Sequence, residues 1–261
     1  MPWFLRGLRD GVVTTRYPRH PDPYADGFPG GVDIRPAAED PGPGVEDLCP
    51  TGAIARSAGG LTLDRGRCIL CGRCVAVHPD TFAWSPGSAT ARETAGGLVV
   101  PERAEGTAEE IAALRADLDL RVRGLRRSVH VRHIDAGSDG SEEWEIHALG
   151  NPTYDVHRLG IFFTASPRHA DLLLVTGAGV LPMIAPLRRT YEAMPRPVAV
   201  VAVGTDAISG GLLASGEETT SGVGEQVGVD VWVPGSPPTP FAILHGILLA
   251  LGRVPEAGTS Q

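Results

Sequence analysis

Four cysteines carry the chemistry legible in this sequence. Three stand in one run, Cys68-Ile69-Leu70-Cys71-Gly72-Arg73-Cys74, and the fourth opens Cys49-Pro50-Thr51-Gly52-Ala53-Ile54. Two-residue spacers let three successive thiolates wrap one face of an iron-sulfur cubane, while a remote Cys-Pro reaches the remaining iron. The expected cofactor is one 4Fe-4S cluster on Cys49, Cys68, Cys71 and Cys74, a set that uses every cysteine in the chain. A disulfide pair and a zinc knuckle are the weaker alternatives, because zinc sites draw on paired ligands rather than a CxxCxxC triplet. Free thiols kept for iron fit a reducing cytosol.

Elements must hold these residues in place. Gly60–Asp64 reads as a hairpin strand between the two ligand groups, and Val75–Phe82 as a helical turn after the triplet. Ile54, Ile69, Leu70 and Val75 would shield the cubane, whose potential depends on burial and on hydrogen bonds to sulfur. Upstream, Phe4, Leu8 and Val12 recur at helical spacing with Arg6, Arg9 and Asp10 on other faces, which reads as a short amphipathic docking helix or an ordinary terminal helix. Tyr17 to Gly44, dense in Pro and Gly, is expected to be an extended wrapping segment without a regular element.

A two-cluster ferredoxin repeats CxxCxxCxxxCP, the fourth cysteine of each half serving the other half's cluster. Here His78 followed by Pro79 stands where the second half's fourth cysteine belongs, and Ala37 to Leu48 supplies none of the first half's three. Cys49 serves the retained cluster and every missing ligand the other one. One complete cluster is therefore expected to survive, with His78 a fossil position rather than a ligand.

The 261 residues suggest two modest domains. The net charge is -8, all 23 basic Lys-or-Arg positions are Arg, and no basic stripe carries interleaved aromatics, so nucleic-acid binding is disfavoured. A GC-rich genome explains the Arg bias more simply than function does. No stretch approaches the ~20 apolar residues of a bilayer span; the best, Phe241 to Leu251, is about half that length and contains His245. The amino terminus lacks the layout of a secretion signal.

Thr107-Ala-Glu-Glu110 forms a capping-box pattern, and Ile111, Leu114, Leu118, Val122 and Leu125 continue a linker helix that separates two domains or lies across the second. Beyond it, residues 129–134, 159–164, 171–176, 198–204 and 229–233 read as strands, with helices over 181–194 and 240–251. Continuous apolar strands alternating with helices imply a buried, mostly parallel sheet. Thr176-Gly177-Ala178-Gly179-Val180 fails as a dinucleotide fingerprint because Pro182 occupies the third glycine's place; it reads as a tight strand-to-helix turn. Ser221 to Gly228 reads as a loop and not a phosphate cradle.

Two resemblances follow from these motifs. Leu5-Arg6-Gly7-Leu8 through Thr14-Thr15-Arg16-Tyr17-Pro18, with CPTGAI and CILCGRC, resembles the two-cluster ferredoxin subunit of complex I and of formate-hydrogenlyase-type hydrogenases over residues 1 to about 100. That resemblance implies a wedge position near a membrane arm. Asp135-Ala-Gly-Ser138, Asn151-Pro-Thr-Tyr-Asp155, Ser166-Pro-Arg-His-Ala-Asp171, Pro186-Leu-Arg-Arg-Thr-Tyr191 and Val233-Pro-Gly-Ser-Pro-Pro238, in that order, are similar to the terminal-cluster subunit of complex I and the small subunit of membrane-bound nickel-iron hydrogenases. That family's four terminal-cluster cysteines fall at Asp139, Glu142, Asp206 and Ser236, so no rear cluster is expected, oxygen donors being poor substitutes for thiolate. These positions would form a hydrogen-bonded plug or open cleft, or less favourably a divalent metal site, with Arg168 and His169 as counter-groups.

The resemblances imply an α/β chain: an N-terminal docking helix and extended arm over 1–35, an α+β ferredoxin-like domain with one 4Fe-4S cluster over 36–104, a linker helix over 105–127, a flavodoxin-like parallel-sheet domain over 128–253, and a disordered tail over 254–261. They imply a non-catalytic, electron-relaying subunit of an oxidoreductase complex. Its partners would be a large catalytic-like subunit and membrane-arm subunits, through which it would sit peripherally on the cytoplasmic face. The alternative is a connecting subunit whose cluster is a structural staple.

Overall fold

The structure is a computed structural model, of which residues 2–36, 40–57, 59–101, 108–124, 128–214 and 216–254 are described. Short apolar runs punctuated by Gly and Pro shape the front of the chain. They form α1 (Trp3–Asp10), β1 (Pro29–Ile34), β2 (Ile54–Ser57), β3 (Gly60–Asp64), α2 (Arg73–Val77), β4 (Phe82–Pro86) and β5 (Val99–Val100). β1 pairs antiparallel with β4, setting Val32 opposite Trp84, and β3 lies between β2 and β5, with Leu63 opposite both Ile54 and Val100. Val32, Val45, Ile54, Leu63 and Phe82 pack with Cys68 and Cys74 into one small core.

β1 corrects the expectation of an irregular arm from Tyr17 to Gly44. Pro29 is tolerated because it opens the strand, where no ladder donor is required. The register shifts between Pro29 and Gly31, and at Gly30 a Cβ would lie 1.8 Å from the Gly87 carbonyl oxygen, so only glycine allows the ribbon to close there. Composition marked the segment as breaker-rich; tertiary pairing overrode it. Residues 29–34 therefore share a sheet with residues 82–86 rather than forming a free arm.

α3 (Ala108–Val122) lies across the second unit, burying Leu118 and Val122, while Arg121 donates to the Val198 carbonyl at 3.1 Å and pairs with Asp117 and Asp230. The expected Thr107 cap, Leu125 and the tail from residue 255 lie outside the described residues, as do residues 37–39 of the cysteine-free stretch.

The rear unit contains β6 (Val129–Asp135), α4 (Ser141–Ala148), β7 (Ile161–Phe163), β8 (Leu172–Thr176), α5 (Leu181–Ala193), β9 (Ala199–Val203), α6 (Thr205–Ser209), β10 (Val231–Val233) and α7 (Pro240–Ala250). The five strands are parallel in the order β10-β9-β8-β6-β7. Numbered from the first rear strand this is 2-1-3-4-5, the doubly wound order of flavodoxin. β8 and β9 are buried at every position because helices cover both faces. α3, α4 and α7 close one side, and α5 and α6 the other. α4 went unread in the sequence: it has eight residues, and its apolar positions are too few to set a period.

Phe241 of α7 joins the two units. Its ring takes Tyr17 at 5.3 Å, Tyr24 at 6.4 Å and Tyr154 at 4.8 Å between centroids. A second seam is backbone: Arg92 and Trp232 exchange hydrogen bonds of 3.0 and 2.8 Å beside edge strand β10.

Candidate metal centre

The hairpin explains how cysteines nineteen positions apart meet. β2 leaves from Cys49 and β3 returns toward Cys68, so the Asp64 amide donates to the Ala53 carbonyl at 2.8 Å. Thr51 Oγ1 donates to the Arg67 carbonyl at 2.6 Å and ties the two loops together. The chain then turns through Leu70, a non-glycine residue with φ of 55°, and enters α2, which carries Cys74. Left-handed backbone at a bulky residue costs on the order of 1–3 kcal/mol and persists where the surroundings hold it. Here the Leu70 amide donates to the Cys68 sulfur.

All four cysteines line one pocket, walled by Val32, Leu48, Ile54, Leu63 and Ile69. Cys68 and Cys74 are buried, Cys49 is half-buried and Cys71 exposed. The Ala53 amide donates to Cys49 Sγ at 3.2 Å, and the Val75 amide to the Cys74 sulfur. His78 does not line the pocket.

Burial pushes the Cys68 thiol up to about 12, against the Leu70 amide, which favours its anion; burial likewise raises Cys74. Four anions crowded in an apolar pocket would be unstable without positive charge, which a bound metal would have to supply to hold coordinated thiols deprotonated. Amide donors on sulfur, apolar walls and four soft ligands are the set that a cubane requires. Among the described residues no three or more His, Cys, Asp or Glu are grouped closely enough to hold a metal ion as they stand.

The four positions that the resemblance aligns with rear-cluster ligands lie at the carboxyl ends of strands. Asp139 and Glu142 follow β6, Asp206 opens α6 after β9, and Ser236 follows β10. Ser236 reaches this end through Gly235, whose carbonyl accepts from the Thr205 amide at 2.7 Å. Glu142 is 1 % exposed, and a Cβ at Gly204, whose φ is 93°, would fall 2.4 Å from its Oε1. Burial first, then the Asp206 charge, raises Glu142 to about 7, and burial also raises Asp206. Asp139 is held low by Ser141, whose Oγ and amide donate at 2.6 and 2.9 Å; the same hydroxyl reaches Glu142 at 3.1 Å. The Ser141 hydroxyl thus links Asp139 to Glu142. Arg168 and His169 precede β8, at the opposite end of the sheet, so they are not counter-groups to these acids.

Sequence reasoning missed Thr205 and Ser209. Both are buried on α6, and they donate to the carbonyls of Cys68 at 3.1 Å and Gly66 at 2.9 Å. The rear unit thus grips the cysteine loop directly, and no local pattern marks a hydroxyl whose acceptor lies 137 residues away. Thr205→Val is expected to strand a buried carbonyl and lower stability by about 1–2 kcal/mol in urea unfolding.

Residues 140–250 match the family model of the NADH ubiquinone oxidoreductase 20 kDa subunit. Formate hydrogenlyase subunit 7 of Escherichia coli is 38% identical over 162 residues, 62% of this chain and 61% of that protein, so the chain spans less than two thirds of that relative. The probable membrane-bound hydrogenase subunit mbhJ of Pyrococcus furiosus is 40% identical over 130 residues, 50% of this chain and 78% of that protein. A solved chain of the membrane-bound sulfane sulfur reductase, an archaeal respiratory membrane complex, has 30% identity and a TM-score of 0.45, covering 52% of this chain and 76% of its own. No helix among the described residues is long and apolar enough to cross a membrane. With more than three quarters of the Pyrococcus relative matched at 40% identity, the chain belongs to the family of the NADH-ubiquinone oxidoreductase 20 kDa subunit.

Proposed function

We propose that this chain is an electron-transfer subunit of a multisubunit complex of the complex I and membrane-bound hydrogenase type. In this reading a degenerate ferredoxin module is fused to a 20 kDa-type module without its own cluster. The observation that carries it is the set of four cysteines on one apolar pocket, with backbone amides directed at their sulfurs. A 4Fe-4S cluster there would supply one-electron redox chemistry. Cys49, Cys68, Cys71 and Cys74 would hold it, and the exposed Cys71 side is the face open to a redox partner. The relatives are subunits of hydrogenase-type complexes, which supports a role within an assembly. A large catalytic-like subunit, membrane-arm subunits and a peripheral position on the cytoplasmic face belong to this proposal.

The buried acids of the rear unit favour a second reading. With Asp139, Glu142 and Asp206 where the family's terminal ligands fall, the rear module offers no onward redox site, and the front cluster would act as a folding staple. One experiment separates the two. The anaerobically purified complex is titrated with dithionite under electron paramagnetic resonance. A centre that reduces reversibly at a potential between those of donor and acceptor supports relay. A cluster that stays silent assigns the staple role, and zinc or a disulfide on these thiols overturns both.

A further inference from the structure

We propose that the pocket formed by residues 15–20 and Arg158 binds the phosphate of an anionic phospholipid, with α1 lying along its acyl chains. The proposal does not involve the four cysteines. The pocket has a volume of about 560 Å³, and Arg16, Arg19, His20 and Arg158 line it without any carboxylate. Against a net charge of -8, such a concentration of guanidinium is local rather than compositional. Arg16 and Arg19 flank a turn closed by the His20 amide on the Arg16 carbonyl at 3.1 Å, and neither side chain makes an ion pair among the described residues. Arg158 is held against the same turn by donating through Nη2 to the Tyr17 carbonyl. Its other guanidinium N–H groups remain for a ligand. Thr15, which also lines the pocket, has a buried Oγ1 without a hydrogen-bond partner. Planar guanidinium forks are the donors that a phosphate oxyanion recruits.

α1 precedes the pocket in sequence, joined to Thr15 by residues 11–14, and points to a lipid as the source of the phosphate. None of its residues is buried, and Trp3 and Leu8 are 86% and 79% exposed. Trp3, Phe4 and Leu8 give an apolar face, with Arg6 and Arg9 beside it. An interfacial helix of this kind with cationic residues next to it matches the depth profile of a bilayer: acyl chains under the aromatics, phosphates at the guanidinium level.

The test uses the full chain, with cluster content monitored separately so that loss of iron is not mistaken for loss of this site. Sedimentation with vesicles of phosphatidylcholine alone is compared with vesicles that also contain phosphatidylglycerol. The expected result is binding that requires phosphatidylglycerol and falls on the order of a hundredfold in Arg16→Gln/Arg19→Gln/Arg158→Gln, from about fivefold per arginine near an anionic surface. Because Arg158 also supports the turn, the double variant Arg16→Gln/Arg19→Gln must itself lose more than about tenfold. Trp3→Ala/Leu8→Ala must weaken vesicle binding as well. Equal binding to phosphatidylcholine alone, or insensitivity to the arginine variants, would overturn the proposal. So would complete displacement by millimolar inorganic phosphate, which would identify a free-phosphate site, or binding seen only to a partner protein.

Discussion

Cys68→Ser is expected to abolish the visible iron-sulfur absorbance, lowering iron from about four atoms per chain to less than one, and to destabilise the front unit by several kcal/mol. The sulfur of Cys68 is both a proposed ligand and part of the small core with Val32, Leu63 and Phe82. The oxygen that replaces it is a harder donor and is smaller than the pocket it enters. Loss of the cluster also leaves Cys74 without compensating charge, and burial favours its neutral form. Cys71→Ser should be milder for folding, because Cys71 is exposed, yet equally damaging to the cluster. Metal analysis and near-ultraviolet dichroism on both variants provide the check. Full iron content in Cys68→Ser would exclude Cys68 as a ligand.

Glu142→Gln is expected to stabilise the protein by about 3 kcal/mol at pH above about 7.5, and hardly at all below about 4.5. Burial raises Glu142 from 4.5 to about 7. Between those values the folded chain keeps a proton that the unfolded chain releases, so stability falls as pH rises. His245 works in the opposite sense. Burial lowers it from 6.5 to about 4, and its Nδ1 is buried without a partner. In that window the unfolded chain binds a proton that the folded chain excludes, so stability falls as pH falls. The two slopes overlap and nearly cancel, each worth about 3 kcal/mol by linkage. The wild type should therefore show little dependence from these two groups between about pH 4.5 and 6.5, and Glu142→Gln should unmask the acid-side loss from His245. Urea unfolding across this range measures both. A variant whose stability parallels the wild type at every pH would place the Glu142 proton elsewhere.

The rear sheet was legible because its physics is local and repetitive. Leu172-Leu-Leu-Val and Ala199-Val-Val-Ala-Val read as doubly buried strands from composition alone, and both are. Leu118 and Val122 were legible for the same reason, since their helical spacing matches the face they bury. The cysteines could be read because the CxxCxxC spacing is itself a geometric statement. Other features depended on partners far away in sequence. β1 was invisible because its pairing with β4 outweighs the breaker composition of Pro29-Gly30-Gly31. Thr205 and Ser209 gave no signal because a hydroxyl's acceptor is not encoded beside it. Arg168 and His169 were placed with the acids by proximity in the motif order, whereas strand direction sends them to the other end of β8.

The short backbone exchange between Arg92 and Trp232 has a consequence for how this chain could be divided. β10 borders the parallel sheet, and the loop from the front half occupies part of its outer hydrogen-bonding row. Severed from that loop, the rear half would present an open template on which a second molecule could add strand by strand. Because both halves belong to one polypeptide, the cover is in place whenever the chain is folded, and the outer row of β10 is shielded from edge-to-edge growth.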